Sequence, residues 1–228
     1  MRLLSVLLLL LLPLAAASQQ QPHHKPSARI QVLAPGYTAL EFAAPEPGTY
    51  ALPPLGEAAD GILLDSSGAK VKLHELFESK TVVLSFVYTS CSDVNGCPLA
   101  TYVLSQVQKQ LAADERTTTN VRLVSVSFDP ANDTPQVMAD YGRHFGRHAV
   151  DWRFLTAESE SSLNPILRDY DQFVIRDRGP DGEPLATMSH ILRVYLIDAD
   201  KRIRNIYTPS YLHPDILYAD IRTVLPSE

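Results

Sequence analysis

Cysteine is scarce in this chain. Only Cys91 and Cys97 occur in 228 residues, so a framework of several disulfides is excluded and thiol chemistry is confined to one short stretch. Long basic runs are missing too. Twenty Lys and Arg stand against 26 Asp and Glu, the net charge is -6, and no basic cluster exceeds a pair or triplet, which argues against a nucleic-acid partner. There is no internal repeat. Beyond the first residues, no apolar run approaches the ~20 residues that a membrane span needs. No cysteine follows the N-terminal apolar run, which argues against a lipid-anchored cysteine there.

What is present begins with a secretory pattern. Arg2 supplies a positive charge, Leu3 to Leu14 is apolar apart from Pro13, and Ala15-Ala16-Ala17 offers a small-residue cleavage site. Residues 1–17 are expected to be a signal peptide. The mature protein is then periplasmic or secreted, the alternative being an uncleaved N-terminal anchor. Residues 18–58, rich in Gln, Pro and Ala, are expected to be extended or disordered. His23 and His24 read as a solvated pair in that tail.

A single folded domain is expected over 59–228. "GILLDSSGAKVKL" reads as an N-terminal β-hairpin around Asp-Ser-Ser-Gly. "TVVLSFVYT" (81–89) and "VRLVSVSFD" (121–129) read as strands buried on both faces. Between them, Leu99, Val103, Val107 and Leu111 mark one stripe of a helix over 98–112. Thr134-Pro135 opens another helix, "DWRFLTA" (151–157) is a third strand, and a helical stretch follows near 159–170. "HILRVYLID" (190–198) and "RIRNIY" (202–207) form a hairpin before a closing helix over 213–225. The order implies an α/β fold with a mixed central sheet flanked by helices.

Both cysteines fall where such folds build sites. Cys91 follows the first buried strand at its C-terminal end. Cys97 precedes Pro98 at a helix start, where the dipole and free N–H groups favour a thiolate. Three readings stand side by side. A structural disulfide closing so short a loop would contribute only about 2 kcal/mol. A redox dithiol is the second. The third is a metal site, in which two soft thiolates favour Cu(I), or Zn(II) in a tetrahedral set. If "HILRVYLID" pairs antiparallel with 82–88, its first residue, His190, comes to the same sheet edge and supplies a third ligand.

Three stretches then carry a resemblance: "VVLSFVYTSC…GCPLA", "VSFDPANDTPQVMADYGRHFG" and "SHILRVYLID". Over about residues 60–225 the chain resembles the Sco/SenC family, copper chaperones of thioredoxin-like fold that help supply the dinuclear copper site of cytochrome c oxidase. The resemblance implies copper, Cu(I) or Cu(II), held by Cys91, Cys97 and His190, and a copper-receiving partner such as a cytochrome oxidase subunit, with membrane proximity through that partner. Asp129 and Asp133 match the family's acidic positions; Asp129, at a strand end, reads as a neighbour of the site, while Asp133 reads on its own as turn and helix-cap chemistry. The usual C-x-x-x-C-P is lengthened here to C-x-x-x-x-x-C-P, and Ser189 and Ile191 flank the histidine where Asp and Ser are common. The alternative function is an extracytoplasmic thiol–disulfide oxidoreductase acting on partner cysteines. Against it, Met188-Ser189-His190 stands where thioredoxin-like reductases carry a cis-proline.

Elsewhere, His144 and His148 are four apart near a helix end, Met138, Met188 and Trp152 read as packing residues, and "DRGPDGEP" (177–184) reads as a turn-rich loop leading to His190.

Overall fold

Two runs of β-branched and aliphatic residues, 81–87 and 121–127, are buried at every position. Strands of that kind need cover on both faces, and the rest of the chain supplies it. The structure is a computed structural model and describes residues 31–145 and 150–225. After a 3-10 turn (Pro35–Tyr37) come β1 (Gly56–Glu57), β2 (Ile62–Leu64), β3 (Lys70–Lys72), α1 (Leu73–Phe77), β4 (Thr81–Val87) and α2 (Cys97–Leu111). Then follow α3 (Glu115–Asn120), β5 (Val121–Ser127), α4 (Pro135–Arg143), β6 (Asp151–Leu155) and α5 (Glu160–Asp169). The chain continues through β7 (Val174–Arg178), β8 (Pro184–His190), β9 (Val194–Ile197), β10 (Arg202–Tyr207) and α6 (Pro214–Val224).

The central sheet is mixed, in the order β1-β10-β9-β4-β5-β6. β4, β5 and β6 run parallel, with Leu84 opposite Val124, while β9 is antiparallel to β4, with Val83 opposite Leu196. Alternation along the strands divides the core in two. Leu84, Phe86, Val124 and Val126 join Met138, Leu163 and Ile166 in one cluster. Val83, Leu123 and Leu196 join the α2 stripe, Leu99, Val103, Val107 and Leu111, together with Leu217 and Ile221 of α6. The hydroxyls of Ser85 and Ser125, buried within the sheet, lie 2.8 Å apart, and Trp152 Nε1 donates to Ser125. The expected N-terminal hairpin is β2 paired with β3.

One element departs from the sequence reading. Residues 177–184 are not a plain loop, and His190 does not open the strand of "HILRVYLID". The core strand β9 begins only at Val194, and His190 ends β8, which pairs antiparallel with β7. This hairpin is a two-stranded sheet of its own. Gly182, at φ +82, makes its turn, and the Gly179 N–H donates to the Glu183 carbonyl. Most of β8 is exposed, so its sequence lacks the apolar pattern that marks a buried strand.

Ahead of β1 the Pro-rich segment makes specific contacts. Tyr50 donates to Asp220, the Gly48 N–H donates to Thr223, and His213 Nε2 lies 2.9 Å from the Thr38 carbonyl oxygen. The expected signal peptide, His23, His24 and His148 lie outside the described residues. His144 is exposed, with Nδ1 near the Tyr141 carbonyl. Among the described residues no helix is long and apolar enough to cross a membrane.

Candidate metal centre

The site forms beyond the C-terminal end of β4, where α2 begins and β8 ends. β4 delivers the chain to Cys91, whose N–H donates to the Tyr88 carbonyl. Residues 92–96 turn back, closed by the Gly96 N–H on the Asp93 carbonyl. Cys97 is then the first residue of α2, with Pro98 behind it in the position that proline favours. The β7–β8 hairpin brings His190 across from the other side. Its Nε2 lies 3.7 Å from Cys97 Sγ and 4.0 Å from Cys91 Sγ. All three donor atoms fall within 4.8 Å of one another, the one such grouping of His, Cys and acidic donors among the described residues. The convergence expected from sequence is therefore present, although His190 arrives on a different strand from the one expected.

Both cysteines are thiols. They are electrostatically unequal. Hydrogen bonding from Cys97, helped by His190 and by backbone N–H groups, outweighs partial burial and holds Cys91 down to about 4. Burial pushes Cys97 far up, and the charge on Cys91 reinforces this. The helix start would by itself favour a thiolate at Cys97, but that side chain is only 1 % exposed. Desolvation wins there, and the negative charge settles on the more accessible sulfur. The pair thus holds one proton between two sulfurs. A groove of about 340 Å³ lined by Tyr88, Thr89, Cys91, Cys97, Thr101 and Tyr141 opens beside them.

Around the donors sit further groups, some of them named from the sequence and some not. Phe128 and Tyr88 flank the imidazole, with ring centroids 4.9 and 5.9 Å away. Asp129, 1 % exposed, accepts from Asn132 and pairs with Arg176 of β7 at 2.8 Å. This ion pair ties the His190 hairpin to the end of β5. Asp133 is not a helix cap. Thr134 caps α4, while the buried Asp133 carboxylate accepts from the Thr89 N–H and hydroxyl and from Ser127, bracing the strand end before Cys91. Met188 packs in the core, as expected. Ser189 turns outward and donates to Asp177. Nothing local in the sequence marks Arg176, because its partner lies 47 positions away.

Comparison with known proteins agrees with this architecture. A Bacillus subtilis (strain 168) protein, "SCO1 protein homolog", is 26% identical over 161 residues, covering 70% of this chain and 78% of that one. The copper-bound structure of Bradyrhizobium japonicum ScoI matches with a TM-score of 0.60 and 25% identity, over 74% of this chain and 99% of the other. BsSco, described as a member of the Sco family of cytochrome c oxidase assembly proteins and as carrying a disulfide switch, superposes with a TM-score of 0.59 at 24% identity, over 78% of this chain and 100% of that one. These likenesses bear out the thioredoxin-like fold. The SCO1/SenC family model matches residues 61–226, nearly the whole described domain, and the chain belongs to that family.

Proposed function

We propose that the protein binds copper through Cys91, Cys97 and His190 and passes it to a partner protein. One observation carries this reading: two thiol sulfurs and an imidazole nitrogen converge within 4.8 Å at an accessible sheet edge. Two thiolates are the soft donors that copper(I) prefers, and a neutral imidazole completes a three-coordinate set. Binding requires release of the proton that the pair retains, so copper uptake is coupled to pH and to the oxidation state of the thiols. The groove beside the sulfurs gives an incoming donor a route for ligand exchange. The copper-bound ScoI relative supports copper as cargo, and the description of BsSco as a cytochrome c oxidase assembly protein supports that oxidase as its destination, at the dinuclear copper site that the family resemblance implies. Delivery there places the domain outside the cytoplasm, periplasmic or secreted.

The test is an anaerobic copper(I) titration of the reduced protein against a competing chelator. One equivalent bound tightly by the wild type, and none by Cys97→Ser, is the expected result. A folded, fully reduced wild type that leaves copper on the chelator overturns the proposal.

A second reading has its own support in the unequal thiols. A stabilised thiolate at the accessible Cys91 beside a buried, protonated Cys97 suits attack on a partner disulfide followed by resolution within the pair. Turnover of a disulfide substrate by the copper-free protein, lost in Cys91→Ser, would favour it.

A further inference from the structure

Five residues separate the cysteines, and a loop of that length does not by its own stiffness hold two sulfurs in register. The support comes from the other end of the described chain. The Ala34 N–H donates to Asn95 Oδ1 at 2.7 Å, and the Tyr37 hydroxyl donates to the Val94 carbonyl at 2.5 Å. Val94 and Asn95 both lie inside the loop. The Tyr37 ring packs on Tyr102 of α2, centroids 5.0 Å apart. Gly36 lets the segment lie this close, since a Cβ there would sit 2.3 Å from the Leu212 carbonyl oxygen and 3.0 Å from Leu99 and Val103. Residues 34–37 thus form a strap across the first turns of α2, and its two polar contacts with the loop fall between the cysteines.

We propose that this strap is a positioning element for the cysteine pair, with Tyr37 and the Ala34 N–H as its positioning groups. Neither touches a sulfur. Both fix the backbone that sets where the sulfurs point, as outer groups commonly do around metal sites. The lengthened loop stays organised because a second segment holds it. Released from the strap, the sulfurs spend less time in register. The copper readout of this proposal rests on the copper reading above; the thiol readout does not.

The experiment uses the full mature chain with Tyr37→Phe, Ala34→Pro and, as control, Tyr50→Phe. Tyr37→Phe removes the hydroxyl and keeps the ring. Ala34 lies at φ -64, ψ 153, a conformation proline adopts, so Ala34→Pro deletes the N–H and sets the ring Cδ against Asn95 Oδ1, which parts the loop from the strap. Tyr50→Phe loosens the same N-terminal segment at Asp220, away from the loop. Copper(I) affinity is read by chelator competition, and the copper-free thiol–disulfide balance against dithiothreitol. In that exchange Cys91 and Cys97 lose two electrons and two protons to oxidised dithiothreitol and form one disulfide. Tyr37→Phe and Ala34→Pro are expected to weaken copper(I) binding by about tenfold, and to shift the balance toward the dithiol, while Tyr50→Phe changes neither. Wild-type values in both loop-contact variants overturn the proposal, as does an equal loss in Tyr50→Phe, which would mark general destabilisation. A wild type that binds no copper removes the copper reading alone, because the dithiothreitol balance still decides on the strap.

Discussion

The two sides of the site are built differently. The cysteine side is embedded: β4 is buried along its length, α2 packs with all of its stripe inside, Asp133 braces the strand end before Cys91, and the strap holds the loop after it. The histidine side is an outlying two-stranded sheet. Its outer face leaves Ile175 67 % exposed, just after the exposed Phe173 that precedes β7, and its inner face is held by Met188, by the aromatic rings around His190 and by the Arg176–Asp129 pair. The contrast teaches that proximity of three donors does not imply equal rigidity. Cys97 belongs to the core and Cys91 packs against it, while His190 belongs to a peripheral element with its own supports.

The sharpest way to break the comparison is to remove one donor from each side. Cys91→Ser or Cys97→Ser should abolish tight copper(I) binding. His190→Ala should retain a weaker two-thiolate complex, with affinity reduced by more than the roughly 10–100-fold typical of losing an outer partner. Chelator competition reads both, and equal loss on the two sides would show that they act as one rigid unit.

A smaller effect is expected from the hairpin tether. Arg176→Met leaves the buried Asp129 carboxylate without its cation, and stability should fall by about 2 kcal/mol, since Arg176 itself is partly exposed. Copper affinity should fall about tenfold through misplacement of His190, and alkylation of Cys91 at mildly acid pH should slow only modestly, because the His190 contribution to its thiolate is lost while the larger one from Cys97 remains. Denaturant melts together with iodoacetamide kinetics check this.

Thiol reactivity sharpens the cysteine side alone. Cys91, held near 4, should react with iodoacetamide at pH 6 while Cys97 remains protected, and mass spectrometry of the peptides reports which sulfur is labelled.

The pH dependence of folding in the reduced, copper-free state probes the same pair, damped by solvent because Cys91 is partly exposed. An unfolded thiol ionises at about 8.5. For Cys91 the folded value is lower, so its contribution is complete above about 8.5 and is lost as pH falls toward 4. For Cys97 the folded value is higher, so stability declines as pH rises past the unfolded value. Denaturation midpoints should therefore rise from pH 5 toward about 8.5 and fall beyond it, and Cys91→Ser should flatten the acidic limb.

Much of this was legible in the sequence where burial and periodicity coincide. Thr81–Val87 and Val121–Ser127 are strands because β-branched and aliphatic runs bounded by turns leave little alternative, and the stripe from Leu99 to Leu111 marks α2. The donor residues were legible from cysteine placement and from three ordered motif matches. The β7–β8 hairpin was not, because exposed strands such as Pro184–His190 carry no apolar alternation, and Asp181-Gly182 serves a hairpin turn as readily as a loop. Arg176 and Tyr37, and the partners of Asp133, escaped for another reason. Their contacts span 47, 57 and 44 positions, and pairings over such separations exist only once the sheet is assembled.

The turn at Asp181-Gly182 has a practical consequence. It joins strands that share no ladder with the six-stranded sheet, and Gly182 borders open space. Exposed tips of this kind are where chains accept added sequence. A short tag or a single labelling cysteine grafted there would ride on the arm that carries the imidazole without crossing the core. A probe on the arm itself would then report whether the arm moves when copper(I) is added.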